Sequence, residues 1–185
     1  MIRANSVIVF VSAAIVLFLW TPSYAQNSMR TCGDRLSEMV HAQRGMTITS
    51  TPDQPVCLET RDLLYGGAAT GPSTRIDAVF VQSGGHPCQY TVGWDSPVTE
   101  VRFTRSALKA GPSGVTHPVW QATAYDSAGR QVATVGEAEI RSYSDVPSRA
   151  FTLDGSGITH VVFWGDDRGV DGFCNVVLDS IDFAH

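Results

Sequence analysis

The chain has 185 residues, 13 of them Lys or Arg and 18 Asp or Glu, and carries a net charge of -5. That balance supplies no positive footprint for nucleic acid or for an anionic membrane surface, which excludes both as expected partners. Seventeen glycines and nine prolines separate short apolar runs, which predicts many turns and few helices.

At the start of the chain Arg3 precedes an apolar run from Val7 to Trp20, followed by Thr21-Pro22-Ser23-Tyr24-Ala25. A positive start, an apolar core and small residues at Ser23 and Ala25 describe a secretory signal peptide over residues 1–25. The apolar run falls short of the roughly 18 to 20 residues that cross a bilayer. Cys32 is too far beyond Ala25 for lipid attachment. The expectation is a secreted or periplasmic protein with no membrane insertion after cleavage, and residues 26–185 forming a single β-sandwich domain.

Beyond the leader, "CGDRLSEMVHAQ" predicts one short helix with Leu36, Met39 and Val40 on its apolar side. In "GMTITS", Gly45 to Ser50, Met46 and Ile48 alternate with threonines as in a half-buried strand, and "TPDQPVC" then turns the chain. From Leu58 to Gly85 the glycine-rich "LYGGAATGPSTR" reads as a long surface excursion, with "RIDAVFVQS" as a strand after it.

From Cys88 the strand pattern is regular. "CQYTVGWDSPVTEVRFTRS" predicts two short strands, with Val101 and Phe103 on one face and Arg102 and Thr104 on the other. "PVWQATAYDSAGRQVATVGEAE" predicts a hairpin whose turn uses Asp126 as its starter and Gly129 for a left-handed position. "RAFTLDGSGITHVVFWG" predicts two more strands, with Phe151 and Leu153, then Val161 and Phe163, facing inward, and "CNVVLDSIDF" closes the chain. Short strands with turn signals at this spacing describe an all-β fold, a β-sandwich or jelly roll with a short N-terminal helix.

All four cysteines, Cys32, Cys57, Cys88 and Cys174, follow the leader, and no two have the close spacing of a zinc site. An even number in an exported chain predicts two disulfides. Of the three pairings, a last strand returning beside an early one favours Cys88 with Cys174 and Cys32 with Cys57.

The succession "VTEVRFTRS…VWQATAYDSAGRQVATV…RAFTLDGSGITHVVFWGDD…NVVLDSIDF" resembles the galactose-binding-like β-jelly-roll domains of exported bacterial proteins and carbohydrate-binding modules. The likeness spans Cys88 to Phe183. It lies in an apolar-x-Phe strand end, an "A-Y-D-x-x-G" hairpin, a "G-I-x-x-V-x-F" strand and a closing "D-x-I-x-F". The chain departs from sugar-binding members in its glycine-rich insert, Tyr65 to Gly71, and in having no clear acidic pair at the first strand. In that family a structural calcium often sits near the chain closure, which draws attention to Asp179.

Two groups of residues carry candidate chemistry. In "WGDDRGVDGF", Asp166, Asp167 and Asp171 could converge with Asp179 on calcium, an ion that takes six to eight oxygen ligands. The plainer reading is a turn in which Arg168 offsets its acidic neighbours. A pyranose ring stacks its apolar face on an aromatic ring while polar neighbours bond its hydroxyls. Trp94 beside Asp95, Tyr125 beside Asp126, and Trp164 near Arg168 are therefore the expected ligand-binding residues. Trp164 lies on the opposite face of its strand from Val161 and Phe163, together with His160 and Val162. Trp120, Phe151 and Phe163 are expected in the core.

No Gly-x-Ser-x-Gly elbow and no His-Glu-x-x-His pair occurs, so no catalytic residue is assigned and the chain is not expected to be an enzyme. The functional expectation is an exported, non-catalytic, lectin-like module that binds a glycan or cell-surface polysaccharide through loops at one end of the sandwich. A structural or adhesive surface protein that holds protein partners is the alternative. A secreted hydrolase would require at least two convergent carboxylates or a nucleophile and base.

Overall fold

The computed structural model of the protein describes residues 30–51, 55–59, 76–78, 88–166 and 175–185. The expected signal peptide lies outside them. In chain order the elements are β1 (Arg30–Cys32), α1 (Gly33–Arg44), β2 (Met46–Ser50), β3 (Val56–Glu59), β4 (Ile76–Ala78), β5 (Gln89–Arg105), β6 (Val115–His117), β7 (Trp120–Asp126), β8 (Gln131–Glu137), β9 (Ile140–Ser142), β10 (Arg149–Gly165) and β11 (Leu178–Ala184).

The expected helix forms and turns its apolar side inward: Leu36 and Val40 are buried and Met39 packs partly against the core. Its last turn closes on Gly45, whose left-handed backbone lets its N–H donate to the His41 carbonyl at 2.8 Å. Directly after it, Met46 and Ile48 of β2 are buried between outward-facing threonines, as the alternation predicts.

β5 and β10 organise the molecule. Each runs 17 residues and they pair antiparallel along nearly their whole length. The sequence predicts two short strands in each stretch, because "DSP" at 95–97 and "DGSG" at 154–157 are turn formers. The chain uses these segments as corners within continuous strands. On β5 the buried set passes from Tyr90, Val92 and Trp94 to Val101, Phe103 and Arg105, with Asp95, Ser96 and Pro97 exposed between. On β10 the register slips between Asp154 and Ile158, where Gly157 takes a φ of 73° that costs a glycine nothing.

Ring contacts show how far the pair bends. Phe163 is paired with Tyr90 at the start of β5, yet its ring centroid lies 5.2 Å from that of Phe103 near the end of β5. A straight strand at about 3.3 Å per residue would separate Tyr90 and Phe103 by roughly 40 Å. The two halves of the β5–β10 pair therefore face each other across the core. One layer contains β2, the first half of β5, the second half of β10, β7 and β8; the other contains the first half of β10, the second half of β5, β11, β4, β3 and β1. The result is an all-β, sandwich-like fold whose layers share two strands that turn the corner at bends and bulges. β6 and β9 form a separate two-stranded ribbon.

Between the layers lies one aromatic core. Phe103 meets Trp120, Phe151 and Phe163, and Tyr90 stacks on Phe163 at 4.8 Å. The expected inward positions Val101, Phe103, Phe151, Leu153, Val161 and Phe163 are all buried. At one end the layers are joined by a buried ion pair, Arg105 Nε to Glu137 Oε2 at 2.9 Å, with side chains 3% and 7% exposed. The same carboxylate accepts from Trp120 Nε1 at 3.1 Å and Arg149 Nη1 at 3.3 Å.

The disulfide Cys32–Cys57 ties β1 to β3 and fixes the N-terminal segment. It is the one bridge described. Cys88 is not a free thiol; Cys174, its expected partner, lies outside the described residues.

Candidate functional site

The outer face of the first layer is built by strand register. On β10, Val161, Phe163 and Gly165 point inward, which turns His160, Val162 and Trp164 outward. Each outward residue is flanked by one on β5 and one on β7. Trp164 pairs with Gln89 and Gln121, Val162 with Thr91 and Thr123, and His160 with Gly93 and Tyr125. A further strand continues the surface, since Thr123 pairs with Thr134 of β8 and the two hydroxyls lie 3.2 Å apart.

Two aromatic platforms stand on this face. Trp164 is 44% exposed in the middle of a regular strand, between two exposed glutamine amides. Four residues back, about 13 Å along the strand, Tyr125 stacks on His160 with ring centroids 5.2 Å apart and planes inclined by 14°. The floor between them is short: Val162, Thr91 and Thr123. Beside His160 the neighbours close over Gly93: a Cβ there would stand 3.0 Å from Thr47 Oγ1 and 3.8 Å from the His160 Cβ, so the position suits a glycine.

The expected ligand residues divide between this face and other tasks. Trp164 and Tyr125 come to the same face. Trp94 faces the opposite way: it is 8% exposed, its ring meets Phe183 edge-on at 5.7 Å, and Nε1 has no hydrogen-bond partner among the described residues. Asp95 stays on the surface at the β5 corner, where Oδ2 lies 2.9 Å from His41 Nε2 of α1. Asp126 serves the hairpin turn, with Oδ1 accepting from the N–H groups of Ala128 and Arg130 and Oδ2 accepting from Arg130 Nε at 2.8 Å. The Arg130 backbone N–H and then its guanidinium hold the Asp126 carboxyl below the usual carboxylate range. Gly129, at φ 72°, takes the left-handed turn position expected of it. Arg168 lies outside the described residues.

Of the expected calcium ligands, Asp167 and Asp171 also lie outside them. Asp166 donates its backbone N–H to the Val119 carbonyl, and Asp179 Oδ1 accepts from Ser106 Oγ at 2.5 Å. Among the described residues no three His, Cys, Asp or Glu side chains gather as metal ligands.

Two other features were open to a functional reading. A cleft of about 370 Å³ opens between the start of α1, the end of β2 and Pro55-Val56. Its two serine hydroxyls hold the backbone together: Ser37 Oγ accepts from the Ile48 N–H and Ser50 Oγ from the Val56 N–H, each at 3.2 Å. His117 is 3% exposed near the Arg105–Glu137 pair, with Nδ1 3.1 Å from the Pro118 carbonyl and Nε2 unpartnered among the described residues. Burial lowers its pKa to about 4, with Arg105 adding to the shift and the Pro118 carbonyl and Glu137 opposing it.

Sequence reasoning missed the polar flanks of the platforms, Gln89, Gln121, Thr91 and Thr123. Alternation places residues on one face within a strand, but which strands stand side by side is a matter of register, carried here by long-range pairing. Compared with known proteins, the chain matches no protein-family model and no curated protein. Among the described residues no helix is long and apolar enough to cross a membrane.

Proposed function

We propose that the protein is an exported, non-catalytic carbohydrate-binding module of galactose-binding-like jelly-roll type, and that it meets its glycan on the outer face of β5, β10 and β7. The observation that carries this reading is Trp164, a large aromatic ring left 44% exposed in mid-strand between two amide side chains. Aromatic rings offer large rigid apolar area, and this protein buries Phe103, Trp120, Phe151 and Phe163 in its own core. A ring left outside it, on the same face as the Tyr125–His160 stack, suits the apolar face of a pyranose.

An oxidising compartment is supported by the Cys32–Cys57 bridge. The same reading includes a second bridge, Cys88–Cys174. It is supported by Asn175, the chain neighbour of Cys174, which donates Nδ2 to the Cys88 carbonyl at 3.2 Å. It also includes a structural calcium in the 166–171 loop with Asp179. A rise in thermal midpoint on adding calcium, reversed by chelator, supports that ion; an unchanged midpoint assigns the aspartates to turn formation.

The binding proposal is tested by polysaccharide pull-down and glycan-array measurements on the chain purified after export. Saturable retention by at least one glycan is the expected result. Retention no greater than background across the panel would sink it.

A further inference from the structure

Resting on the carbohydrate-binding reading, we propose that the outer face takes an uncharged, extended polysaccharide, with Trp164 and the Tyr125–His160 stack lying beneath separate sugar rings of one chain. Three observations lead there. The chain carries 13 basic and 18 acidic residues, yet none stands at the outward positions of β5, β10 and β7 in the three rows that hold the platforms. An ionised glycan would lose hydration there and find no Lys, Arg, Asp or Glu among the described residues of those rows, a cost that a neutral one avoids. The amides of Gln89 and Gln121 and the hydroxyl of Thr91 both donate and accept, which matches the hydroxyls of a neutral sugar; Thr123 is buried and its hydroxyl meets that of Thr134.

Shape gives the second observation. Among the described residues the face is a sheet surface with a short floor, and two clefts lie elsewhere, by α1, lined by residues such as Asp34 and Ser37. A small sugar gripped on all sides needs concavity; a flat face binds by area, which an extended chain supplies. The platform spacing is the third. About 13 Å between Trp164 and His160 along β10 exceeds one sugar ring, so both platforms engage together only under a chain of several rings.

The experiment compares the exported chain with its Trp164→Ala, Tyr125→Ala and Tyr143→Ala variants. Tyr143 is 90% exposed and follows β9, on the separate ribbon, so it controls for surface aromatics in general. The probes are cellulose, β-mannan and mixed-linkage glucan as neutral polymers, and alginate and polygalacturonate as acidic ones. The expected result is retention on a neutral polymer that survives about 1 M salt, where screening acts within roughly 3 Å. Trp164→Ala should weaken it by roughly tenfold or more, equivalent to about 1.4 kcal/mol, Tyr125→Ala by less, and Tyr143→Ala not at all. Should Trp164→Ala fail to fold, Gln121→Lys keeps the ring and crowds its edge with a charge, and is expected to weaken neutral binding in the same direction. Retention by acidic polymers alone, or neutral retention that these outward-face variants leave unchanged, would overturn the inference and leave the carbohydrate reading in place. Binding to no polymer removes both.

Discussion

Phe163 and Trp164 are neighbours on β10 and live on opposite sides of its sheet. Phe163 is fully buried and touches the rings of Tyr90 and Phe103, whereas Trp164 is 44% exposed between two glutamines. The inner face is aromatic because hydrophobic burial drives the layers together. The outer face has no such cause for holding a tryptophan. A comparison one residue wide thus separates aromatic area that stabilises the fold from aromatic area left exposed, which the proposal gives to a glycan.

The largest effects should come from the inner side. Phe163→Ala is expected to cost about 3–5 kcal/mol through lost transfer energy and the cavity left behind, read as a fall in denaturant midpoint. Glu137→Ala should cost a similar amount, about 3–5 kcal/mol, because it strands the buried Arg105 guanidinium and unpairs Trp120 Nε1. If either variant is as stable as the parent, the inner face is not the close-packed core described.

His117 sharpens the same side through pH. Its folded pKa lies below the ordinary value, so between pH 6.5 and about 4 the unfolded chain binds a proton that the folded one does not. Stability from this group is complete above pH 6.5 and declines as pH falls through that window, by roughly 3 kcal/mol in all. His117→Phe should flatten that part of the stability–pH curve relative to the parent. Parallel curves would contradict the burial argument.

On the outer side the order reverses between stability and binding. Trp164→Ala should change folding stability by no more than about 0.5 kcal/mol while impairing glycan retention. Smallest of all, Asp95→Asn removes an exposed contact with His41 and should alter the thermal midpoint by less than the equivalent of about 0.5 kcal/mol.

Much of the fold was legible because local chemistry and tertiary structure agree. The helix with Leu36 and Val40 inward, the Asp126–Gly129 hairpin and the inward phenylalanines follow from period and turn residues. Turn formers at 95–97 and 154–157 misled in one respect: they bend strands that continue, since pairing between β5 and β10 resumes beyond each bend. Trp94, at a strand end before Asp-Ser-Pro, is one of the expected ligand-binding aromatics. It is the last inward residue before that corner, and its burial is decided by Phe183, nearly ninety residues later in the chain. For the candidate face, the outward set on β10 was readable from alternation alone. Its partners on β5 and β7 were not, because nothing local sets which residue of one strand stands beside which residue of another.

The measurement closest to the central claim uses tryptophan fluorescence of the chain purified after export, whose described tryptophans are Trp94, Trp120 and Trp164. Trp94 and Trp120 are buried, so Trp164 dominates what a collisional quencher reaches. Acrylamide quenching is measured with and without soluble mixed-linkage glucan and soluble mannan at saturating retention. The account predicts that the bound glycan shields the accessible fraction and that Trp164→Phe abolishes the accessible signal. Quenching that is unchanged by a glycan the protein demonstrably retains would contradict it.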